Sequence, residues 1–258
     1  MEQLRRQIIE VGKRLDQKGF VSSNDGNISA VIDDKTILAT PTGFNKGVLK
    51  RDDLVIVDWN GKKISGKYNP SSEILMHLGY YKKRPDVKAV VHAHPPYSTG
   101  FATAGLSLEK CVFPEVILTI GAIPLAQYGT PSTDEIVDSI RKLVVECDAI
   151  LLANHGAVTA GKDVMDAYWK MERVEHIAKI SYIARTLGGE KVLPKTEVKK
   201  LVELRDKMGG SGPYPLCWDC DDCVGDACVL NDQKNSNTSA DHGNNIDDIV
   251  KNVLKRFT

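Results

Sequence analysis

Two histidines stand one residue apart in Lys88-Ala89-Val90-Val91-His92-Ala93-His94-Pro95. The apolar run before them reads as a strand. Strand side chains alternate faces, so His92 and His94 point the same way, about 7 Å apart at the backbone. Two imidazoles held that close on a rigid element can share one metal ion. The pair fits a hydrogen-bonded couple at a strand end equally well. A third histidine follows a second short apolar run, Ala149–Ala153, in Asn154-His155-Gly156. Gly156 suggests a tight turn that leaves His155 at a strand tip. Three neutral histidines with an open position are a common catalytic zinc arrangement. On spacing alone, His155 is as much a capping or core residue as a ligand.

A fourth piece is Pro70-Ser71-Ser72-Glu73, which opens a helical pattern carried by Ile74, Leu75, Leu78 and Tyr81 and ended by Pro85. Free N–H groups at a helix start favour an anion, and two serine hydroxyls beside them could complete a phosphate site. Plain N-capping by Ser71 or Ser72, with Glu73 as a first-turn acid, explains the same residues. The segments Gly26-Asn27-Ile28-Ser29 and Pro41-Thr42-Gly43 supply glycines that let backbone approach a ligand. Alone, both are ordinary turns.

These groups need a scaffold, and the chain is long enough for one. Its 258 residues carry 34 basic and 34 acidic side chains, which gives no reason to expect nucleic-acid binding. No run of 18 apolar residues reads as a membrane span. Residues 1–20 are charged and amphipathic, with Leu4, Ile8, Val11 and Leu15 on one face, so they read as a first helix and not a signal peptide. A cytoplasmic protein is expected. Helices are expected over 2–18, from Ser71, near 133–146 and over 163–187. Strands are expected near 27–31, 36–39, 54–57, 88–94, 123–125 and 149–153. That order suggests a central sheet covered by helices, an α/β/α layering.

Taken together, the motifs resemble the class II aldolase/adducin family. They are Gly26-Asn27-Ile28-Ser29, Thr40-Pro41-Thr42-Gly43, Ser71-Ser72-Glu73, Arg84-Pro85-Asp86, Val90-Val91-His92-Ala93-His94-Pro95-Pro96 and Asn154-His155-Gly156. The resemblance covers about residues 1–190 and is nearest to the branch acting on L-fuculose 1-phosphate. It implies a mainly antiparallel sheet within the α/β/α layers, a homotetramer with sites at subunit contacts, and zinc at His92, His94 and His155. It implies that Glu73 sits beside the metal, coordinates it in the empty site and carries protons. It also implies a phosphate clamp from Gly26, Asn27, Thr42, Gly43, Ser71 and Ser72. The reaction implied is zinc-dependent retro-aldol cleavage of L-fuculose or L-rhamnulose 1-phosphate to dihydroxyacetone phosphate and L-lactaldehyde. Glu73 favours aldolases, or the related methylthioribulose-1-phosphate dehydratases, over the epimerases, which usually carry aspartate there. A 5-deoxyribulose-phosphate aldolase shares every ligand. A non-catalytic adducin-like scaffold is the alternative of another class.

The chain departs from the fuculose branch at Cys111-Val112-Phe113-Pro114-Glu115-Val116. That branch places a proton-donating tyrosine there, lent by a neighbouring subunit. Phe113 cannot donate, and Glu115 could do so only if burial raised its pKa.

The expected organisation is a catalytic domain over 1–208, a cysteine-rich segment over 209–230, a flexible linker over 231–245 and an amphipathic terminal helix over 246–258. Cys217, Cys220, Cys223 and Cys228 are dense enough to suggest a second metal, a structural zinc or an iron–sulfur cluster. Ile246, Ile249, Val250, Val253, Leu254 and Phe257 form one helical stripe. It resembles the encapsulation peptides that dock enzymes on bacterial microcompartment shells, which makes a shell protein the expected partner.

Overall fold

The computed structural model describes residues 1–208. The cysteine cluster, the linker and the terminal stripe therefore lie outside the described residues. The elements are α1 (Glu2–Gln17), β1 (Asn27–Val31), β2 (Thr36–Ala39), β3 (Val55–Asp58), β4 (Lys63–Ser65), α2 (Ile74–Lys83), β5 (Ala89–Ala93), α3 (Pro96–Thr103) and α4 (Pro114–Thr119). They continue with β6 (Leu125–Ala126), α5 (Asp134–Ile140), β7 (Ala149–Leu152), β8 (Gly156–Gly161), α6 (Val164–Thr186) and α7 (Lys195–Lys207). No described helix is long and apolar enough to cross a membrane.

One sheet runs β4-β3-β2-β1-β5-β8-β7-β6. Every pairing is antiparallel except β6 with β7, as expected for a mainly antiparallel sheet. All five residues of β5 are buried, because helices cover both faces and a central strand has no wet side. Ala89, Val91 and Ala93 face one apolar cluster, with Ile8, Val11 and Leu15 of α1 and Tyr168 and Met171 of α6. Val90 faces the other, with Met76, Leu78 and Tyr80 of α2. His92 shares the parity of Val90 and so emerges on the α2 side, where Glu73 waits.

Arg84 ties these layers together. Its guanidinium donates to Asp86 Oδ1 (2.8 Å) and Oδ2 (2.6 Å), and to Asp148 Oδ1 at 2.8 Å. Lys170 of α6 donates to Asp148 Oδ2, also at 2.8 Å. The Arg84-Pro85-Asp86 motif is thus a joint between the end of α2, the approach to β5, the start of β7 and α6.

Glu109 is buried with Oε1 unpartnered. Burial pushes its pKa up to about 7, against a hydrogen bond with Ser107 that pulls it down. A raised folded-state pKa favours the protonated form, so the native state is fully favoured below about 4.5 and loses stability as pH climbs to about 7. Glu109→Gln is therefore expected to gain about 1–3 kcal/mol at pH 8 and almost nothing at pH 4. Urea melts at the two pH values check this, and an equal gain at both would refute it.

Candidate active site

Six separate chain segments converge on one cleft of about 260 Å³. It is lined by Gly26, Asn27, Thr42, Gly43, Ser71, Ser72, Glu73, His94 and His155, with Asn24, Asp25, Pro41, Lys46, Pro131 and Ser132. Of the described residues expected to bind the metal or the phosphate, only His92 is not on its surface, because it is fully buried.

Local structure differs from expectation in three places. Strand β5 ends at Ala93, so His92 is a strand residue and His94 begins the exit loop. Helix α2 starts at Ile74, three residues later than the serines suggest. Ser71 gives its N–H to Thr40 O (3.2 Å) and its Oγ accepts from the Glu73 N–H (3.3 Å), which makes a turn before the helix. The bend that presents His155 is made by Asn154, at φ +56°, and not by Gly156. Asparagine tolerates this left-handed conformation better than most residues. Gly156 is needed for space: a Cβ there would lie 2.6 Å from Ala93 O and 2.6 Å from His94 Cδ2.

The three imidazoles are mutually packed, with ring centroids 4.7–5.0 Å apart. One nitrogen from each falls within 4.8 Å of the others. His92 Nδ1 lies 2.9 Å from Ala157 O. A carbonyl only accepts, so Nδ1 carries the hydrogen and Nε2 keeps a lone pair. His94 turns Nδ1 toward Asp25 Oδ2 at 3.4 Å, which leaves its Nε2 in the same state. The two Nε2 atoms are 3.1 Å apart. Two lone pairs at that distance repel unless a cation lies between them. Burial pushes the His92 pKa down to about 3, with Glu73 opposing, and burial lowers that of His94 too. A proton is therefore a poor bridging cation near neutrality. Tetrahedral zinc, with bonds of about 2.0–2.1 Å, spaces its ligands about 3.4 Å apart, close to the 3.1 Å of this pair. Both carbonyl- and carboxylate-anchored rings match the usual outer support of metal-bound histidine.

Glu73 closes the fourth side. Its Oε2 accepts from Asn27 Nδ2 at 2.9 Å and lies 3.4 Å from His92 Nε2. Its Oε1 is 3.2 Å from His155 Nε2 but at an angle that makes no hydrogen bond, so a buried carboxylate oxygen is left unsatisfied beside the rings. Burial alone would raise the Glu73 pKa, but His92, His155 and Asn27 outweigh it and hold the carboxyl well below the usual range.

The turns expected to hold an anion present mainly backbone to the cleft. Gly26 and Gly43 adopt left-handed φ values of +72° and +76°. A Cβ on Gly26 would sit 2.8 Å from His92 O, so only glycine lets this turn abut β5. Thr42 spends its N–H on Asn69 O. Gly43 and Ser72 keep N–H groups without a partner among the described residues. Ser132, at φ +66°, donates to Ser72 Oγ at 2.7 Å. Phe113 and Glu115 border a different surface, with Trp169, Glu172, Arg173 and His176. Glu115 is exposed.

Residues 6–182 match the family described as Class II Aldolase and Adducin N-terminal domain. The chain belongs to that family. Similar members include the 5-deoxy-D-ribulose 1-phosphate aldolase of Bacillus thuringiensis serovar kurstaki, 32% identical over 81% of this chain and 98% of the relative. The 3-oxo-tetronate 4-phosphate decarboxylase of Pectobacterium atrosepticum is 35% identical over 74% of this chain and 88% of the relative. A solved structure of an L-fuculose 1-phosphate aldolase superposes with a TM-score of 0.74 at 30% identity, covering 80% of this chain and 97% of that one. Family membership and the aldolase names of such relatives make the chain an enzyme of the lyase class.

Lys46 and Ser132 are cleft residues that sequence reading misses. A lysine between turns reads as a solvated charge, and Ser132 as one more turn residue; neither stands in a motif that would have marked it.

Proposed function

We propose that the protein is a zinc-dependent aldolase cleaving a deoxyketose 1-phosphate, of the L-fuculose or L-rhamnulose type, to dihydroxyacetone phosphate and L-lactaldehyde. The observation that carries this reading is the facing Nε2 pair of His92 and His94, with His155 and Glu73 around it, beside a cleft that the Gly26 and Gly43 turns, Ser71 and Ser72 also line. His92, His94 and His155 would hold zinc, with Glu73 as a fourth ligand before substrate enters. When bound, the metal supplies a Lewis acid for negative charge developing on the ketose oxygens. Gly26, Asn27, Thr42, Gly43, Ser71 and Ser72 would hold the phosphate and so fix the ketose in one orientation.

Cleavage breaks the C3–C4 bond. The C4 hydroxyl loses its proton as C4 becomes an aldehyde, and the bonding pair stays on C3, which must regain a proton. Glu73 is placed for the second transfer, since Asn27 steers its carboxyl toward the imidazoles. In this reading the enzyme is a homotetramer, and a neighbouring subunit supplies the aldehyde side of the cleft that Phe113 and Glu115 of the same chain do not reach.

Phe113 favours a second reading. Decarboxylation of a 3-oxo acid 4-phosphate leaves the same carbanion on loss of carbon dioxide, needs no acceptor for a hydroxyl proton, and yields dihydroxyacetone phosphate after one protonation. A coupled assay for dihydroxyacetone phosphate separates the two. Fuculose, rhamnulose and 5-deoxyribulose 1-phosphates are offered beside 3-oxo-tetronate 4-phosphate, with zinc and then with chelator. Chelator-sensitive cleavage of a ketose phosphate is expected. Turnover of the oxo acid alone would make the enzyme a decarboxylase, and no turnover of any of them would refute both readings.

A further inference from the structure

Lys46 is buried, yet it is one of the residues lining the cleft. It follows the Thr42-Gly43 turn and begins a short 3-10 turn, Lys46–Val48, packed against α1. The packing is tight: a Cβ on Gly12 would lie 2.4 Å from Lys46 O, so the backbone here has no freedom to withdraw the side chain. The Lys46 ammonium donates to Asn24 O at 2.8 Å and to Phe44 O. It thereby ties the turn that carries Gly26 and Asn27 to the turn that carries Thr42 and Gly43.

An ammonium has three donors, and these carbonyls use two. Among the described residues no carboxylate forms an ion pair with Lys46. The two acids nearest in effect are already engaged, Asp25 with His94 and Glu73 with Asn27 and the imidazoles. A buried charge without a counter-charge is costly unless a ligand supplies one. The uncommitted N–H groups of Gly43 and Ser72 lie in the same cleft. They point to an anion, and a phosphate monoester brings nearly two negative charges with three acceptor oxygens.

We propose that Lys46 is a phosphate ligand of the cleft, the charged donor in an anion site otherwise built from backbone and hydroxyl groups, and that it selects phosphorylated substrates over their unphosphorylated parents. The proposal rests on the reading of the cleft given above, but its test does not need turnover. Inorganic phosphate is titrated calorimetrically into the zinc-loaded protein and its Lys46→Met variant at two ionic strengths. A charge-assisted bond of ordinary strength predicts affinity about 10- to 100-fold weaker in K46M, with a flatter salt dependence than the native protein shows. A lysine that only ties two turns together would leave the salt dependence unchanged. In parallel, the side-chain NMR signal of Lys46 in the native, isotope-labelled protein is followed during the titration. It is expected to shift and saturate with the calorimetric isotherm. This second measurement decides the matter if K46M does not fold.

Phosphate affinity in folded K46M within twofold of the native value, or a Lys46 signal unmoved at saturation, overturns the proposal. Lys46-dependent phosphate binding without release of dihydroxyacetone phosphate from any substrate would instead overturn the assignment of the reaction and leave the phosphate ligand standing.

Discussion

Glu73→Gln is expected to lower kcat by about 10²- to 10⁴-fold, the usual contribution of a positioned acid–base group. Zinc content, measured by mass spectrometry, should remain near one per chain. The geometry separates these two outcomes. The three imidazoles are held by β5, by the exit loop with Asp25 and by the Asn154 turn, none of which depends on the Glu73 charge. The carboxyl, by contrast, is aimed by one bond from Asn27 Nδ2. An amide keeps the shape and the acceptor but cannot pass a proton to carbon. His92→Ala should behave differently, losing metal and turnover together, because it removes a ligand from a site with no slack. Near-native turnover in Glu73→Gln would sink the proton-carrier assignment while leaving the metal site intact.

The second large effect is on stability. Asp148→Ala is expected to destabilise the fold by about 1.5–3 kcal/mol, the loss of charge-assisted hydrogen bonds from a largely buried carboxylate, with Arg84 still paired to Asp86 and Lys170 to Asp166. In a domain of this size that amounts to a Tm drop of roughly 3–12 °C. Asp148 answers two cations at once, Arg84 and Lys170, whose side chains are 6% and 15% exposed. Asp86 makes the more regular, two-pronged contact with Arg84, yet its side chain is 53% exposed. Exposure decides between them: Asp86→Ala should cost about 1 kcal/mol or less. Thermal melts of the two variants check the ordering. Equal losses would mean that solvent screens the two carboxylates alike.

Much of this could be read from the chain, for identifiable reasons. Strands β1 and β2 fall where their apolar residues place them, and α1 matches its stripe to within a residue. His92 and His94 do meet, with ring centroids 4.9 Å apart, although His94 stands in the exit loop, one residue past the strand whose parity was used to place it. The remainder was hidden where local pattern gives way to tertiary demand. Strand β8, Gly156–Gly161, is made of small residues without alternation, because both of its faces are covered. The short helices α3 and α4 lack enough turns to show a period. Ser71-Ser72-Glu73 reads as helical, yet the Ser71 N–H is claimed by Thr40 O of a neighbouring turn. Lys46 was invisible for the simplest reason: sequence shows its charge, but not that folding removes it from water.

The register of β1 on β5 pairs Asn27 directly with His92. One end of that rung follows the Gly26 turn and the other presents one of the three clustered histidines. The spacing between the two is therefore set by main-chain hydrogen bonds and not by rotamers. If the proposed phosphate and metal sites hold, the sheet would work as a fixed gauge between a substrate's phosphate and its reacting oxygens. Side-chain replacements around the cleft would then change which aldehyde or acid fits beyond the gauge without lengthening it.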